Sequence, residues 1–339
     1  MNRFTYARPG DVAEAVREIA TDPNARFIAG GTNLLDLIKY NVEKPTRLID
    51  VTRLPGLDTI EETEDGGLRI GALVSNSDAA YDSRVAERYP LLASAILAGA
   101  SPQLRNAATT GGNLLQRTRC YYFYDPATAC NKREPGSGCP AKEGVNRIHA
   151  ILGASDSCIA TNPSDMCVAL AALEAVVHVA GPKGERRIPM AEFHRLPGDT
   201  PQQDSTLAQD ELILAVELPR PAFAAHSTYL KLRDRLSYAF ALVSVAAALE
   251  MNGGKIVQAR IALGGVAHKP WRRPDAEALL QGRTPGEDAF RAAADLMVEG
   301  AVGQIHNAFK INLARKAVIR ALAQAAAGKP QSQIDKRIA

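Results

Sequence analysis

Phe27-Ile28-Ala29-Gly30-Gly31-Thr32-Asn33-Leu34-Leu35-Asp36-Leu37-Ile38 is the stretch on which the reading of the fold turns. A short apolar strand runs into paired glycines, and a helix-like segment follows. Two glycines let the backbone turn tightly and come close to a ligand. Backbone N–H groups exposed at such a turn suit a phosphate anion. The pattern is not G-x-G-x-x-G, so it does not license a dinucleotide fold of the doubly wound type, and an ordinary strand–turn–helix junction reads the same way. A second stretch, Ala108-Thr109-Thr110-Gly111-Gly112-Asn113-Leu114, repeats the chemistry: paired glycines, a hydroxyl beside them, an amide after them. Two such loops can grip one diphosphate from two sides; two independent turns are the alternative.

Outward from these loops the chain alternates. Asp11 with Glu14 opens a helix whose Val12, Val16 and Ile19 share a face. Arg47–Val51 and Leu68–Ala72 read as strands and Pro90–Ala100 as a helix. Ser164 caps a helix expected to run through Ala175, and Glu211–Leu218 reads as a strand ended by Pro219 and Pro221. We place a domain boundary there. Beyond it, Thr228–Leu232, Ala239–Met251 and Ile256–Leu263 are strand-like, the last two joined through Asn252-Gly253-Gly254, a hairpin signal. Helices are expected at about Pro274–Leu280, Asp288–Val298 and Asn312–Ala326, covering one side of an antiparallel sheet.

The 339 residues suffice for two or three domains, and 46% apolar with 23% charged residues is ordinary globular usage. A net charge of +3 without a long basic block gives no reason to invoke nucleic acid. No apolar run reaches the roughly 18 residues of a membrane helix, and Met1–Gly10 lacks the pattern of a signal peptide.

All five cysteines lie between Cys120 and Cys167, an odd number in one window, which reads as a local site rather than a disulfide framework. Arg117–Ala160 has poor periodicity and a Gly/Pro-rich run, Glu134–Pro140; a loop this long usually carries function. Cys120, Cys130, Cys139 and Cys158 suit an iron–sulfur cluster or a zinc ion, although the close knuckles of structural zinc are missing; unligated thiols are the third reading. Tyr121-Tyr122-Phe123-Tyr124 can shield such a site from water. Cys167 falls inside the helix after Ser164 and reads as a core thiol. Asp165 either serves its helix dipole or accepts ligand hydroxyls. The strand and basic turn from Lys231 to Phe240 either place a cation near a ligand or are solvated charges. The six histidines suggest no triad.

Taken in order, these motifs resemble the FAD-binding subunits of the xanthine dehydrogenase/molybdenum hydroxylase family from about Phe4 to Ala326. The cysteine segment is similar to the branch with an additional [4Fe–4S] cluster, the FAD subunits of bacterial periplasmic aldehyde oxidoreductases. The resemblance implies an α+β fold. Residues 1–221 would form a two-subdomain FAD-binding domain of the p-cresol methylhydroxylase type, with the cluster loop inserted at about 117–160. Residues 222–328 would form an antiparallel sheet with helices like the C-terminal domain of carbon monoxide dehydrogenase flavoproteins, before a polar tail over 329–339.

It also implies the site. Arg26, Phe27, Ile28, Ala29, Gly30, Gly31, Thr32, Asn33 and Leu34 would form the first FAD loop, and Ala108, Thr109, Gly111, Gly112 and Asn113 the second. Asp165 would face the FAD, Ile213 would pack near it and Lys231 would lie at its edge, while Cys120, Cys130, Cys139 and Cys158 would ligate the cluster. The flavin subunit itself carries no catalytic residue for the aldehyde. A large subunit with the molybdenum cofactor and a small one with two [2Fe–2S] clusters would complete a heterotrimer, periplasmic through a signal-bearing partner; a cytoplasmic complex is the alternative. A stand-alone flavin oxidase and a zinc-stapled interaction protein are the rival functions.

Overall fold

In the computed structural model, residues 1–334 are described; the last five positions of the expected polar tail lie outside the described residues. Three short strands, Thr5–Ala7 (β1), Ala25–Ile28 (β2) and Arg47–Asp50 (β3), form a parallel sheet in the order β1-β3-β2. Helix Val12–Ala20 (α1) connects β1 to β2. The Asp11 carboxylate accepts the Glu14 N–H at 2.7 Å, and the Glu14 carboxylate accepts the Gly10 N–H at 2.6 Å. This reciprocal cap fixes where α1 begins and turns Ala15, Val16 and Ile19 inward. Helix Leu34–Lys39 (α2) follows β2 directly after the glycine turn.

The second sheet has five strands: Ile60–Glu62 (β4), Leu68–Gly71 (β5), Val176–Gly181 (β6), Gly184–Pro189 (β7) and Leu212–Leu218 (β8), all neighbours antiparallel, in the order β4-β5-β8-β6-β7. Sequence patterning misses the β6–β7 hairpin because β7 is an edge strand bearing Glu185, Arg186 and Arg187, all exposed, and offers no apolar alternation. Between β5 and β6 come Asn76–Tyr81 (α3), Ser83–Arg88 (α4), Pro90–Ala98 (α5), Pro102–Ala107 (α6), Thr110–Leu114 (α7), Tyr121–Tyr124 (α8) and Asp165–Ala172 (α9). The Ser164 hydroxyl caps α9 by accepting the Cys167 N–H at 3.0 Å. That helix is buried over its whole length and stops before Ala175, because Glu174 takes a left-handed φ of 56°. A single turn, Met190–Phe193 (α10), follows β7.

The C-terminal sheet is Ser227–Leu232 (β9), Val243–Asn252 (β10), Lys255–Gly264 (β11) and Trp271–Arg272 (β12), antiparallel in the order β12-β11-β10-β9. Gly253 and Gly254 form the two-residue β10–β11 turn with φ of 57° and 76°, the mirror-image turn that only such residues adopt freely. β10 starts at Val243, four residues later than the apolar run suggests, and Leu236, Tyr238 and Phe240 stay exposed. Helices Pro274–Ala278 (α11), Glu287–Met297 (α12) and Phe309–Ala326 (α13) complete the domain. Val243, Val245, Ala247 and Leu249 of β10 share a core with α12 and α13, whereas Ala246 and Ala248 join the core of α5 and α9. The sheet is thus covered on both faces, not on one as expected. Both alternate sets of β10 side chains are apolar, so each face must be shielded from water, and the first domain supplies the second cover. Among the described residues no helix is long and apolar enough to cross a membrane.

Candidate functional site

The two glycine loops meet. A Cβ on Gly30 would stand 1.8 Å from the Ala107 carbonyl oxygen and 3.3 Å from Ala108 Cα, so the main chains touch where a side chain would be. Gly31 adopts φ 70°, which L residues reach at a penalty. The second loop is tied to the end of β5: Gly111 N–H donates to Ala72 O at 2.8 Å, Thr110 N–H to Val74 O at 2.9 Å, and Thr109 Oγ1 accepts the Gly112 N–H at 3.2 Å. Above the junction opens a cavity of about 860 Å³. Its lining runs from Arg26 to Leu34 and takes in Thr109, Gly111, Gly112, Arg117 and Ile213. That is near the upper end of the roughly 300–1,000 Å³ usual for ligand pockets. Asn33, Gln202 and His194 line this cavity, and their Nδ2, Oε1 and Nδ1 atoms are buried without a hydrogen-bond partner in the chain. Orphaned donors and acceptors of that kind fit a large polar ligand such as FAD. Most of the wall from Gln202 to Ile213, together with Arg117 and His194, escapes sequence reasoning, since these residues form no local motif and reach the loops only through the sheet.

Ala108 and Asn113 support the cavity from behind. Asn113 donates through Nδ2 to Asn76 Oδ1 at 2.7 Å, and its Oδ1 accepts from Gln116 Nε2 at 2.6 Å and from Ser164 Oγ at 2.7 Å. It thereby links the second loop to the cap of α9. Asp165 and Lys231 lie outside this cavity and pair with each other at 2.7 Å, with side-chain exposures of 8% and 2%; Tyr229 also donates to Asp165 at 2.8 Å. Removing the carboxylate strands a buried ammonium, which is destabilising by about 3–5 kcal/mol. Asp165→Ala should therefore lower unfolding stability by about 3 kcal/mol or more in urea titrations. A change under ~1 kcal/mol would mean that the residue serves only the helix dipole.

The four cysteines converge on one narrow cavity that also takes in Phe123, Lys132 and His149. His149 Nε2 lies 3.1 Å from Cys120 Sγ. Burial pushes the Cys120 thiol up to about 12 and the Cys158 thiol up to about 11. Among the described residues no three His, Cys, Asp or Glu side chains are close enough together to hold one metal ion. The donor chemistry, four thiols lining one cavity, is that of a thiolate-ligated group. Cys167 stands apart, fully buried in α9.

His194 and His268 are buried and held neutral, with pKa values lowered by desolvation to about 4. The unfolded chain takes up these protons near pH 6.5 and the folded chain only near 4, so unfolding is favoured as pH falls between those values. The melting temperature should drop steadily from pH 6.5 to pH 4. A flat profile in differential scanning calorimetry would show that neither imidazole is held neutral.

Residues 2–221 match the family model of the FAD binding domain in molybdopterin dehydrogenase, and residues 227–325 that of the CO dehydrogenase flavoprotein C-terminal domain. The chain belongs to the FAD-binding subunits of the molybdenum hydroxylase family of oxidoreductases. It is 53% identical, over 96% of its length and 99% of the relative's, to the aldehyde oxidoreductase FAD-binding subunit PaoB of Escherichia coli K12. Among solved structures it resembles carbon monoxide dehydrogenase from Hydrogenophaga pseudoflava (TM-score 0.75, 28% identity, 96% and 98% of the two chains). It also resembles quinoline 2-oxidoreductase from Pseudomonas putida 86 (TM-score 0.74, 28% identity, 97% and 98%).

Proposed function

We propose that this chain is the FAD- and [4Fe–4S]-containing electron-transfer subunit of a molybdenum-dependent aldehyde oxidoreductase. Electrons would come to it from the iron–sulfur clusters of a small partner, a large partner would carry the molybdenum cofactor, and an external acceptor would take the electrons away. The observation that carries the reading is the junction of the two glycine loops beneath a cavity large enough for FAD. The aldehyde and the partners rest on the 53% identity to PaoB. Bound FAD supplies the ability to take up and release electrons one or two at a time. The chain's own part is to bind and orient it. Gly30 and Gly31 would bring the main chain up to the diphosphate, and Thr109, Gly111 and Gly112 would close on it from the other side. Arg26, Asn33 and Ile213 line the remaining walls. Asp165 and Lys231, reached through Asn113 and Ser164, set the position of α9 against the second loop.

Cys120, Cys130, Cys139 and Cys158 would hold the cluster. Their shared cavity is what supports one group held by all four. A heterotrimer exported with a signal-bearing partner is part of the same proposal. The test is purification of the chain with its co-expressed neighbours, followed by flavin, iron, acid-labile sulfide and molybdenum analysis and an aldehyde-dependent dye reduction. One FAD and about eight iron per complex are expected, about four in this chain's cluster and about four in the small partner's two [2Fe–2S] clusters. Only about four iron per FAD, the partner's share, would remove the cluster from the reading, and dye reduction by this chain alone would turn it into a stand-alone flavin oxidase.

A further inference from the structure

Between the cysteine cavity and the FAD cavity lies one charge cluster, built on a buried lysine, that neither site's motif accounts for. Lys132, in the cysteine loop, has a side chain only 1% exposed. Its ammonium donates to Pro201 O at 2.6 Å, to Asp204 Oδ1 at 2.5 Å and to His268 Nε2 at 2.7 Å. Burial, with the Lys132 charge beside it, lowers the His268 pKa to about 4, so the imidazole is neutral; with its Nδ1–H donated to Arg195 O at 2.7 Å, its Nε2 can only accept. The other Asp204 oxygen pairs with Arg117 Nε at 2.6 Å. Burial works against the Asp204 charge, but Lys132 and Arg117 outweigh it and hold the carboxyl down at about 2.

Arg117 carries the connection on. Its guanidinium also pairs with Glu43 and lies 4.9 Å above the Phe123 ring, and its backbone N–H donates to Asn33 Oδ1 at 2.8 Å. Asn33 stands immediately before α2, at the end of the first glycine loop, and its side chain is given to Arg117 rather than to the helix. Asp204, Arg117, Glu43 and Asn33 all line the FAD cavity, while Lys132 lines only the cysteine cavity.

We propose that Lys132, although it does not touch the FAD cavity, sets FAD affinity from the cysteine loop by holding Asp204, and through it Arg117, against the first glycine loop. Lys132 is a positioning residue, and the order of the cysteine loop and the occupancy of the FAD cavity are coupled through it. The inference rests on reading that cavity as the FAD site and is independent of which metal the cysteines hold.

Coupling is reciprocal, so FAD must also protect the loop. The experiment titrates FAD into flavin-free protein, followed by flavin fluorescence, for the wild type, Lys132→Met, Asp204→Asn and the double variant. Limited proteolysis of the 117–160 segment is run with and without FAD. Lys132→Met leaves Asp204 paired with Arg117, and the double variant removes both buried charges together, so the set stays interpretable if Asp204→Asn alone does not fold. The expected result is a dissociation constant about tenfold higher in Lys132→Met, and no more than about a further twofold rise in the double variant, because both act on one path. FAD should slow cleavage of the loop in the wild type and not in Lys132→Met. A Lys132→Met variant that melts earlier but binds FAD within twofold of the wild type overturns the proposal, as does a double variant whose effects multiply or a wild-type loop that FAD does not protect. Gly30→Ala separates the two readings. If it binds FAD normally, the cavity is not the FAD site; if it loses FAD while Lys132→Met keeps it, only the coupling is wrong.

Discussion

Gly30→Ala is expected to weaken FAD binding by about 100-fold or more, roughly 2.7 kcal/mol. The added methyl would fall 1.8 Å from the Ala107 carbonyl oxygen and 2.7 Å from its carbon, both main-chain atoms that cannot rotate away. The loops must part by about 1 Å or more, in a packed junction that yields little. Neither glycine loop can then keep its place under the same diphosphate. Gly31→Ala is the calibrating variant. Its φ of 70° penalises any side chain by about 1–2 kcal/mol. The atoms its Cβ would meet belong to the tip of Leu35, an exposed side chain free to move. A loss of about tenfold is therefore expected there. Gly112→Ala brings its Cβ to 2.9 Å from Thr109 Oγ1 and should loosen the second loop alone. Titration of flavin-free protein with FAD, with far-UV circular dichroism as the check on folding, measures all three. Full FAD occupancy in Gly30→Ala would falsify the two-loop site.

Serine at Cys120, Cys130, Cys139 or Cys158 is expected to remove most of the iron and acid-labile sulfide and to open the 117–160 loop to protease. Thiolate ligands must lie close together, yet these four span positions 120 to 158. The loop contains little regular structure beyond α8 and one short turn at Pro140–Lys142. On the proposed reading, ligation would be a large part of what orders it. The Cys120 and Cys158 thiols, pushed up by burial, must lose their protons on binding, so metal uptake should release protons. Cys167→Ser is the control. It places a hydroxyl in a fully buried position of α9 and should destabilise the fold by about 1–3 kcal/mol without changing iron content. Iron lost from Cys167→Ser but kept in Cys120→Ser, or zinc in place of iron after anaerobic preparation, would defeat the assignment.

Local chemistry makes several features legible in the sequence alone. The Asp11 and Ser164 caps, the Gly253–Gly254 hairpin and the two glycine loops are each decided by a few adjacent residues, through side chains that satisfy backbone groups or through φ values that few residues tolerate. The grouping of all five cysteines in one window marks a local site, and the family resemblance singles out the four that the structure gathers around one cavity.

What brings distant segments together is settled by packing. The edge strand β7 carries charges outward and leaves no periodic trace, and its place in the sheet is set by pairing with β6. The second cover of the C-terminal sheet comes from α5 and α9, more than 50 positions earlier in the chain, because an all-apolar β10 demands shielding without specifying by what. Gly30 reads in sequence like its neighbour Gly31, yet it is the closer constraint, since the atom that forbids a side chain belongs to Ala107, 77 positions away. Lys132, Asp204 and Arg117 are three ordinary charges along the chain, and they become one cluster only because burial makes an unpaired charge too costly to leave alone.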